Sequence, residues 1–415
     1  MRRFSFSFLL LVAAAGLLTR CAPARRAVTS VPAPTGGAAQ APPGVPPTPA
    51  FPPPAPTVGA ARLTEYLPAL VGKRVALVVN QTSRVGRAHL LDTLRARGVT
   101  VVRVLAPEHG FRGTEDAGKH VADSVDGATG IPVASLYGAA KKPLPRHLAD
   151  ADVVVFDLQD VGVRFYTYLS TLHYVLEAAA EQGKPVVVLD RPNPNGDYVD
   201  GPILEPDCRS FVGLDPLPIV HGLTLGEAAR MMVGEKWLAN GAQPTLTVVP
   251  VADYTHRTPY ALPVAPSPNL RTARAVRLYP SLCLFEGTGV SVGRGTARPF
   301  EQIGHPTYPD TTRHVFVPRP GPANTKPLLA NRRCFGPDLD AVQPAPGFTL
   351  RWLLEFYQKS PDKKAFFNPF FANLSGTKTL RRQIEQGLTE EQIRATWAPG
   401  LEAYQARRGA YLLYP

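Results

Sequence analysis

From residue 74 the chain alternates short, nearly continuous apolar runs with longer stretches of helical periodicity. That rhythm restricts the fold more than any other feature, because it calls for buried parallel strands joined by crossover helices. "RVALVV" (74–79), "VTVVRVL" (99–105), "DVVVFDL" (152–158) and "PVVVLD" (185–190) read as strands. "RAHLLDTLRARG" (87–98) and "FYTYLSTLHYVLEAAAEQG" (165–183) read as helices, closed by Gly98 and Gly183. Thr224 and Glu227 stand at capping-box spacing before another helix. The reading is α/β: a Rossmann-like doubly wound domain over residues 61–243. After about residue 245 the pattern changes. A strand at 246–251 is followed by proline- and glycine-rich sequence, then by helices at 349–360 and 379–388 and one capped by Thr389 and Gln392. Residues 244–415 therefore read as a smaller mixed α/β domain packed on the first.

The N-terminus differs in kind. Arg2 and Arg3 precede an apolar stretch from Phe4 to Leu18, shorter than the roughly 20 residues a membrane-spanning helix needs, and Cys21 follows. Residues 1–20 read as a signal peptide, and Cys21 as a lipid anchor point, although Arg20 stands where a small residue is expected. Residues 22–57 hold 12 prolines in 36 positions, so they cannot bury enough apolar area to offset ordering entropy. The segment 21–60 is expected to act as a tether, reaching roughly 110 Å at ~3.1 Å per residue. An exported protein of the periplasm or outer envelope, held at a membrane through Cys21, follows.

The formal charge of +12 becomes +9 once residues 1–20 are removed (42 Lys+Arg against 33 Asp+Glu). A basic exported protein suits anionic polymers such as cell-wall glycans, and no aromatic–basic motif of a nucleic-acid module is visible. Cys208, Cys283 and Cys334 cannot all pair within one chain, and no spacing suggests a metal site. The glycines of "GTGVSVGRG" do not fit G-x-G-x-x-G and no Walker sequence is present, so no cofactor is expected.

In open α/β sheets, ligands bind beyond the carboxyl ends of the strands. Four polar clusters follow the predicted strands: Asn80 to Ser83; Glu108, His109 and Arg112 within "APEHGFRGTEDAG"; Asp157, Gln159, Asp160 and Arg164; and Asp190, Arg191, Asn193 and Asn195. Their convergence on one rim is the expectation. "PSPNL" (266–270) and "FEGTGVSVGRGTARPFEQIG" (285–304), with Glu286, Arg294, Arg298 and Glu301, read as the second wall of an interdomain cleft. Each has a structural alternative: Asp157 and Asp190 as caps or loop anchors, His109 and His221 as structural histidines, the glutamates as partners of Arg294 and Arg298. Glu108 has the weakest alternative, since it lies between a strand end and a glycine turn with no helix to cap. Carboxylates beside amides and hydroxyls suit glycoside hydrolysis, and arginines add recognition of an acidic group. An exported hydrolase of an acidic glycan is the reading from residues alone.

Seven segments in consistent order from about Leu63 to the C-terminus carry a resemblance: "APEHGFRGTEDAG", "FDLQDVGVRFYTYLSTL", "LDRPNPNG", "HGLTLGE", "PSPNL", "FEGTGVSVGRGTARPFE" and "WAPGLEAYQARRGAYLLYP". The chain resembles the NamZ/YbbC-like family of bacterial exo-β-N-acetylmuramidases. The resemblance implies removal of terminal N-acetylmuramic acid (MurNAc) from the non-reducing end of peptidoglycan fragments, in turnover and recycling. It also implies a Rossmann-like domain plus a smaller one, with the active site in the cleft between them. Glu108 of the "PEHG" motif is then the general acid/base and Asp160 its expected partner, with Glu286 and Glu301 behind it. Arg112, Arg164 and Arg294 are offered for the lactyl carboxylate that distinguishes MurNAc from N-acetylglucosamine (GlcNAc). Gln159, Tyr166, Asn193 and Asn269 are offered for the acetamido group and hydroxyls, with His109 beside them. MurNAc-terminated saccharides are the expected partners, and other cell-wall hydrolases are compatible ones. Residues 311–347 match no expected pattern and leave reducing-side specificity open. A non-catalytic wall-binding lipoprotein and a periplasmic carbohydrate esterase or amidase are the alternatives.

Overall fold

Alternate residues of the central strands leave the sheet in opposite directions, and both directions are apolar. Val75, Leu77 and Val79 enter one buried cluster while Ala76 and Val78 enter another, so neither face of the sheet meets water. In the computed structural model the described residues are 55–112, 123–138, 140–321, 324–343, 345 and 347–415. The expected signal peptide, Cys21 and the tether as far as residue 54 lie outside them, as do Glu115 and Asp116.

The chain is a mixed α/β protein built on a large, mostly parallel sheet. Its strands are β1 (Arg74–Val79), β4 (Thr100–Ala106), β5 (Ser124–Val125), β6 (Pro132–Ser135), β7 (Val153–Asp157), β8 (Val186–Leu189) and β9 (Leu246–Val249), in the order β5-β6-β4-β1-β7-β8-β9. β5 alone pairs antiparallel. A two-stranded hairpin, β2 (Arg84–Val85) with β3 (Ala88–His89), follows β1. β6 was not expected, and β9, which a boundary at 243/244 assigns to the second domain, pairs with β8 in this sheet.

Helices α1 (Leu63–Leu70) and α2 (Leu90–Ala96) cover one face through Tyr66, Leu70, Leu90, Leu91 and Leu94. α3 (Pro145–Leu148), α4 (Tyr168–Glu181) and α5 (Leu225–Gly234) cover the other. The capping box of Thr224 and Glu227 forms at the start of α5. The second half contributes α6 (Ala273–Leu282), the hairpin β10 (His314–Phe316) with β11 (Cys334–Gly336), and α7 (Arg351–Lys359), α8 (Phe371–Ser375), α9 (Thr379–Glu385) and α10 (Glu390–Arg408). α10 begins with the expected Thr389–Gln392 capping box. Core residues of the second half, such as Leu282, Phe300 and Trp352, join the cluster that includes α4 and α5. Cys208, Cys283 and Cys334 are buried free thiols. Among the described residues no helix is long and apolar enough to cross a membrane.

Candidate active site

β4 ends at Ala106, and the chain turns at once: the Gly110 N–H donates to the Pro107 carbonyl at 3.0 Å. His109 takes φ 72° and Gly110 φ 75°. A left-handed residue with a β-carbon costs on the order of 1–2 kcal/mol, so the turn holds Glu108 and His109 in place at a measurable expense in stability. Both side chains line a cavity of about 620 Å³ beyond the strand ends.

Thr167 precedes α4, yet its hydroxyl does not cap that helix. It donates to Oε2 of Glu108 at 2.7 Å. The Tyr137 hydroxyl hydrogen-bonds the same carboxylate; burial first, then the Glu108 charge, pushes its pKa well above the ordinary phenol value. Two hydroxyls from loops after β6 and β7 thus orient one carboxyl group.

The second wall comes from Ser267, Asn269 and Leu270 and from the turn after α6. There Arg294 Nε donates to Glu286 Oε1 at 2.6 Å, and the guanidinium lies 5.0 Å from the Phe300 ring centre. Burial disfavours the Arg294 charge, but Glu286 outweighs it and holds the pKa above its usual value. Burial, reinforced by the Glu286 charge, keeps the neighbouring Cys283 thiol protonated. Asn269 is 3% exposed, and its Nδ2 has no hydrogen-bond partner. Tyr166, whose hydroxyl donates to the Pro266 carbonyl at 2.9 Å, Phe211 and Phe300 add aromatic surface.

Of the expected residues, then, Glu108, His109, Tyr166, Asn269, Glu286 and Arg294 meet at the cavity. The others do not line it. Asp160 points back into its own loop, where Oδ2 accepts from the Gly162 N–H at 2.6 Å, with His221 Nε2 3.7 Å away. Gln159 donates to the carbonyls of Asp160 and Pro192, each at 2.8 Å. Asn193 donates to the Leu223 carbonyl and accepts from the Asn195 N–H, each at 2.8 Å. Glu301 accepts from Thr272 at 2.7 Å and faces Arg298 at 3.7 Å. Arg112 pairs with Asp126 at 2.6 Å, with its side chain 57% exposed. Arg164 is fully buried and donates to the carbonyls of Pro202, Leu217 and Leu374.

Of the four-cluster rim only Glu108 and His109, after β4, line the cavity; after β7 it is Phe165, Tyr166 and Thr167 that do. The other clusters hold the scaffold. Asn80 accepts from Thr82 and donates to the Tyr168 hydroxyl at 2.7 Å. Arg191 makes a two-pronged ion pair with Asp157, with one contact at 2.9 Å. Asp190 accepts from Thr224, Gly226, Arg191 and Tyr414. Sequence reading missed Tyr137, Lys141, Thr167, Phe211, Ser267 and Lys326, all of which line the cavity. Thr167 carries a local signal, as a threonine before a helix, although β7 is separated from β4 by β1 in the sheet.

A carboxylate pair, aromatic walls and an unpartnered amide on an α/β scaffold describe a glycoside hydrolase. The chain belongs to the family of exo-β-N-acetylmuramidase NamZ, whose N-terminal part matches residues 75–274 and whose C-terminal part matches residues 277–414. It is 36% identical over 374 residues to the peptidoglycan β-N-acetylmuramidase NamZ of Bacillus subtilis (strain 168), covering 85% of this chain and 89% of that protein. Two crystal structures of DUF1343 family proteins from Bacteroides fragilis NCTC 9343 are similar to it. One is 42% identical with a TM-score of 0.81, covering 86% of this chain and 99% of that one. The other is 27% identical with a TM-score of 0.74, covering 87% and 99%.

Proposed function

We propose that this protein is an exo-acting β-N-acetylmuramidase that hydrolyses terminal MurNAc from the non-reducing end of peptidoglycan fragments, in cell-wall turnover and recycling. The observation that carries the reading is the position of Glu108, on a strained strand-end turn inside the cavity of a NamZ-family chain. Glu108 is the general acid/base: its carboxyl protonates the glycosidic oxygen as the bond to the anomeric carbon breaks. Thr167 and Tyr137 fix its direction. Positive charge develops on the sugar ring, and the Glu286 carboxylate, held by Arg294 at 2.6 Å, faces that charge. This role for Glu286 replaces the one expected of Asp160. The Asn269 amide donates to the acetamido carbonyl, and Tyr166 and Phe300 pack on the apolar edge of the sugar.

The sheet is read as Rossmann-like and doubly wound. Its parallel strands, numbered by their order in the chain, run 3-2-1-4-5-6, and both faces are covered. The cavity is read as the cleft between that domain and the C-terminal one, since residues from both family-matched parts line it. Export, anchoring through a lipid at Cys21 and action beside other cell-wall hydrolases complete the proposal, supported by Arg2, Arg3 and the apolar stretch before Cys21.

The test is release of free sugar by wild type and Glu108→Gln from a MurNAc-terminated disaccharide and its GlcNAc-terminated counterpart. MurNAc release by wild type, with the variant down by at least ~10²-fold, is expected. Muropeptide binding without release would indicate a wall-binding lipoprotein, and acetate or peptide release an esterase or amidase. Equal release by both proteins would remove Glu108 from its role.

A further inference from the structure

Of the three guanidinium groups expected at the lactyl carboxylate, Arg112 is paired with Asp126 and Arg164 is spent on three carbonyls away from the cavity, while Arg294, within it, is paired through Nε with Glu286. Two ammonium groups on the cavity wall, Lys141 and Lys326, have no acidic partner among the described residues. Lys141 follows β6 and sits 4.8 Å from the ring centre of Phe211, which also lines the cavity.

Lys326 belongs to the stretch that matched no pattern. Residues 311–337 contain Arg313, Arg319, Lys326, Arg332 and Arg333 and no acid, a local charge of +5. Only Arg313 has an ion-pair partner among the described residues, Asp310 at 2.8 Å. This acid-free run takes in β10, β11 and the loop that joins them, and its like charges repel while backbone contacts hold it. The Arg319 N–H donates to the Gly295 carbonyl at 2.9 Å, and a β-carbon on Gly295 would strike the Arg319 carbonyl and Pro327. Gly295, at φ 81°, therefore lets the arm lie against the turn that carries Arg294. The Lys326 N–H then donates to the Asn324 side chain at 3.2 Å, and residues 324–326 reach the cavity.

The geometry points to this arm as the anion-reading element of the cavity: Lys326, with Lys141, binds the lactyl carboxylate and selects MurNAc over neutral sugars. The assignment rests on the muramidase reading and specifies how that site discriminates. An ammonium–carboxylate hydrogen bond contributes about 1.5–3 kcal/mol, which is roughly 10- to 100-fold in affinity. At exposed lysines, screening by salt keeps the effect at the lower end.

The experiment uses the full-length protein and Lys141→Gln/Lys326→Gln. Two MurNAc-terminated disaccharides are compared, one with the free lactyl acid and one with that acid converted to its methylamide. Expected is a fall of about tenfold in kcat/KM for the acid, carried mainly by KM, with the methylamide changed less than about twofold. The wild-type preference for the acid should also shrink as ionic strength rises. Calorimetric binding of free MurNAc and its methylamide reads the same preference without turnover, so an inactive wild type would sink the muramidase reading alone. A preference that survives in the folded double variant, by kinetics or calorimetry, overturns this inference.

Discussion

Thr167 spends its hydroxyl on Glu108, at 2.7 Å, rather than on the first turn of its own helix. A threonine before a helix normally satisfies an N–H of that helix. Here the N-cap position has become a support for the acid, coupling the loop after β4 to the start of α4.

Thr167→Val keeps the shape and removes the donor. Because no cap is lost, thermal stability should change little, while kcat falls about tenfold or more through misdirection of the Glu108 carboxyl. KM should move far less. A Tm drop without a kcat effect would show that the hydroxyl serves the fold and not the acid.

Arg164 behaves as a structural clamp. Burial pushes its pKa down to about 9, and its guanidinium ties the loop after β7 to the carbonyls of Pro202, Leu217 and Leu374. Gly376, at φ 76°, leaves room for it, since a β-carbon there would strike its Nη2. Arg164→Met orphans buried acceptors at about 1–3 kcal/mol each, so a loss of about 3 kcal/mol or more in unfolding free energy is expected. Preference for MurNAc over GlcNAc should persist wherever the variant is folded. Urea unfolding, together with relative kcat/KM on the two sugars, checks both halves.

The contrast between Glu108 and Arg164 shows where the sequence was legible. β1, β4, β7 and β8 announced themselves through continuous apolar runs, and both threonine caps were visible because capping is local. β6 was not, being four residues that open with a proline, and with it went Tyr137 and Lys141 just beyond. Glu108 could be singled out because a strand end followed by glycine leaves a carboxylate little structural work. Arg164 could not be excluded, because its acceptors lie 38, 53 and 210 residues away. Gln159 and Asn193 were ambiguous for the same reason, since their acceptors Pro192 and Leu223 lie 33 and 30 residues away; Asp160 instead turns back on Gly162, two residues on, where a loop role and a ligand role look alike in sequence.

His173 offers a pH test. Nδ1 lies 2.9 Å from Asp215 and Nε2 3.0 Å from Glu177, so both ring nitrogens can donate only when the imidazole is charged. Burial opposes that charge, but the Asp215 hydrogen bond and the two carboxylates outweigh it and raise the pKa above 6.5. A folded pKa above the unfolded one gives stabilisation that is complete below about pH 6.5 and disappears as pH rises through the folded value. Wild-type Tm should therefore fall on going from pH 6.5 toward 8.5, and His173→Gln should be less stable at pH 6 with a flatter profile. An identical slope in both proteins would sink the assignment.

Tyr414 closes the structure from its far end. Its hydroxyl donates to Asp190 Oδ2 at 2.6 Å and accepts from the Val251 N–H at 2.9 Å, joining the C-terminal residues to the ends of β8 and β9. Burial raises the pKa of Asp190 to about 6 even with Thr224, Tyr414 and Gly226 as donors. With an unfolded value near 3.9, folding favours the protonated acid, and this contribution to stability is lost as pH rises from about 4 through about 6. Tyr414→Phe orphans the Val251 N–H and withdraws a donor that matters most to the ionised acid. The variant should lose about 1–3 kcal/mol at pH 7 and distinctly less at pH 4.5, where Asp190 is protonated in the folded state. Urea unfolding of both proteins at the two pH values decides it: equal deficits would mean that the Tyr414 hydroxyl serves Val251 alone.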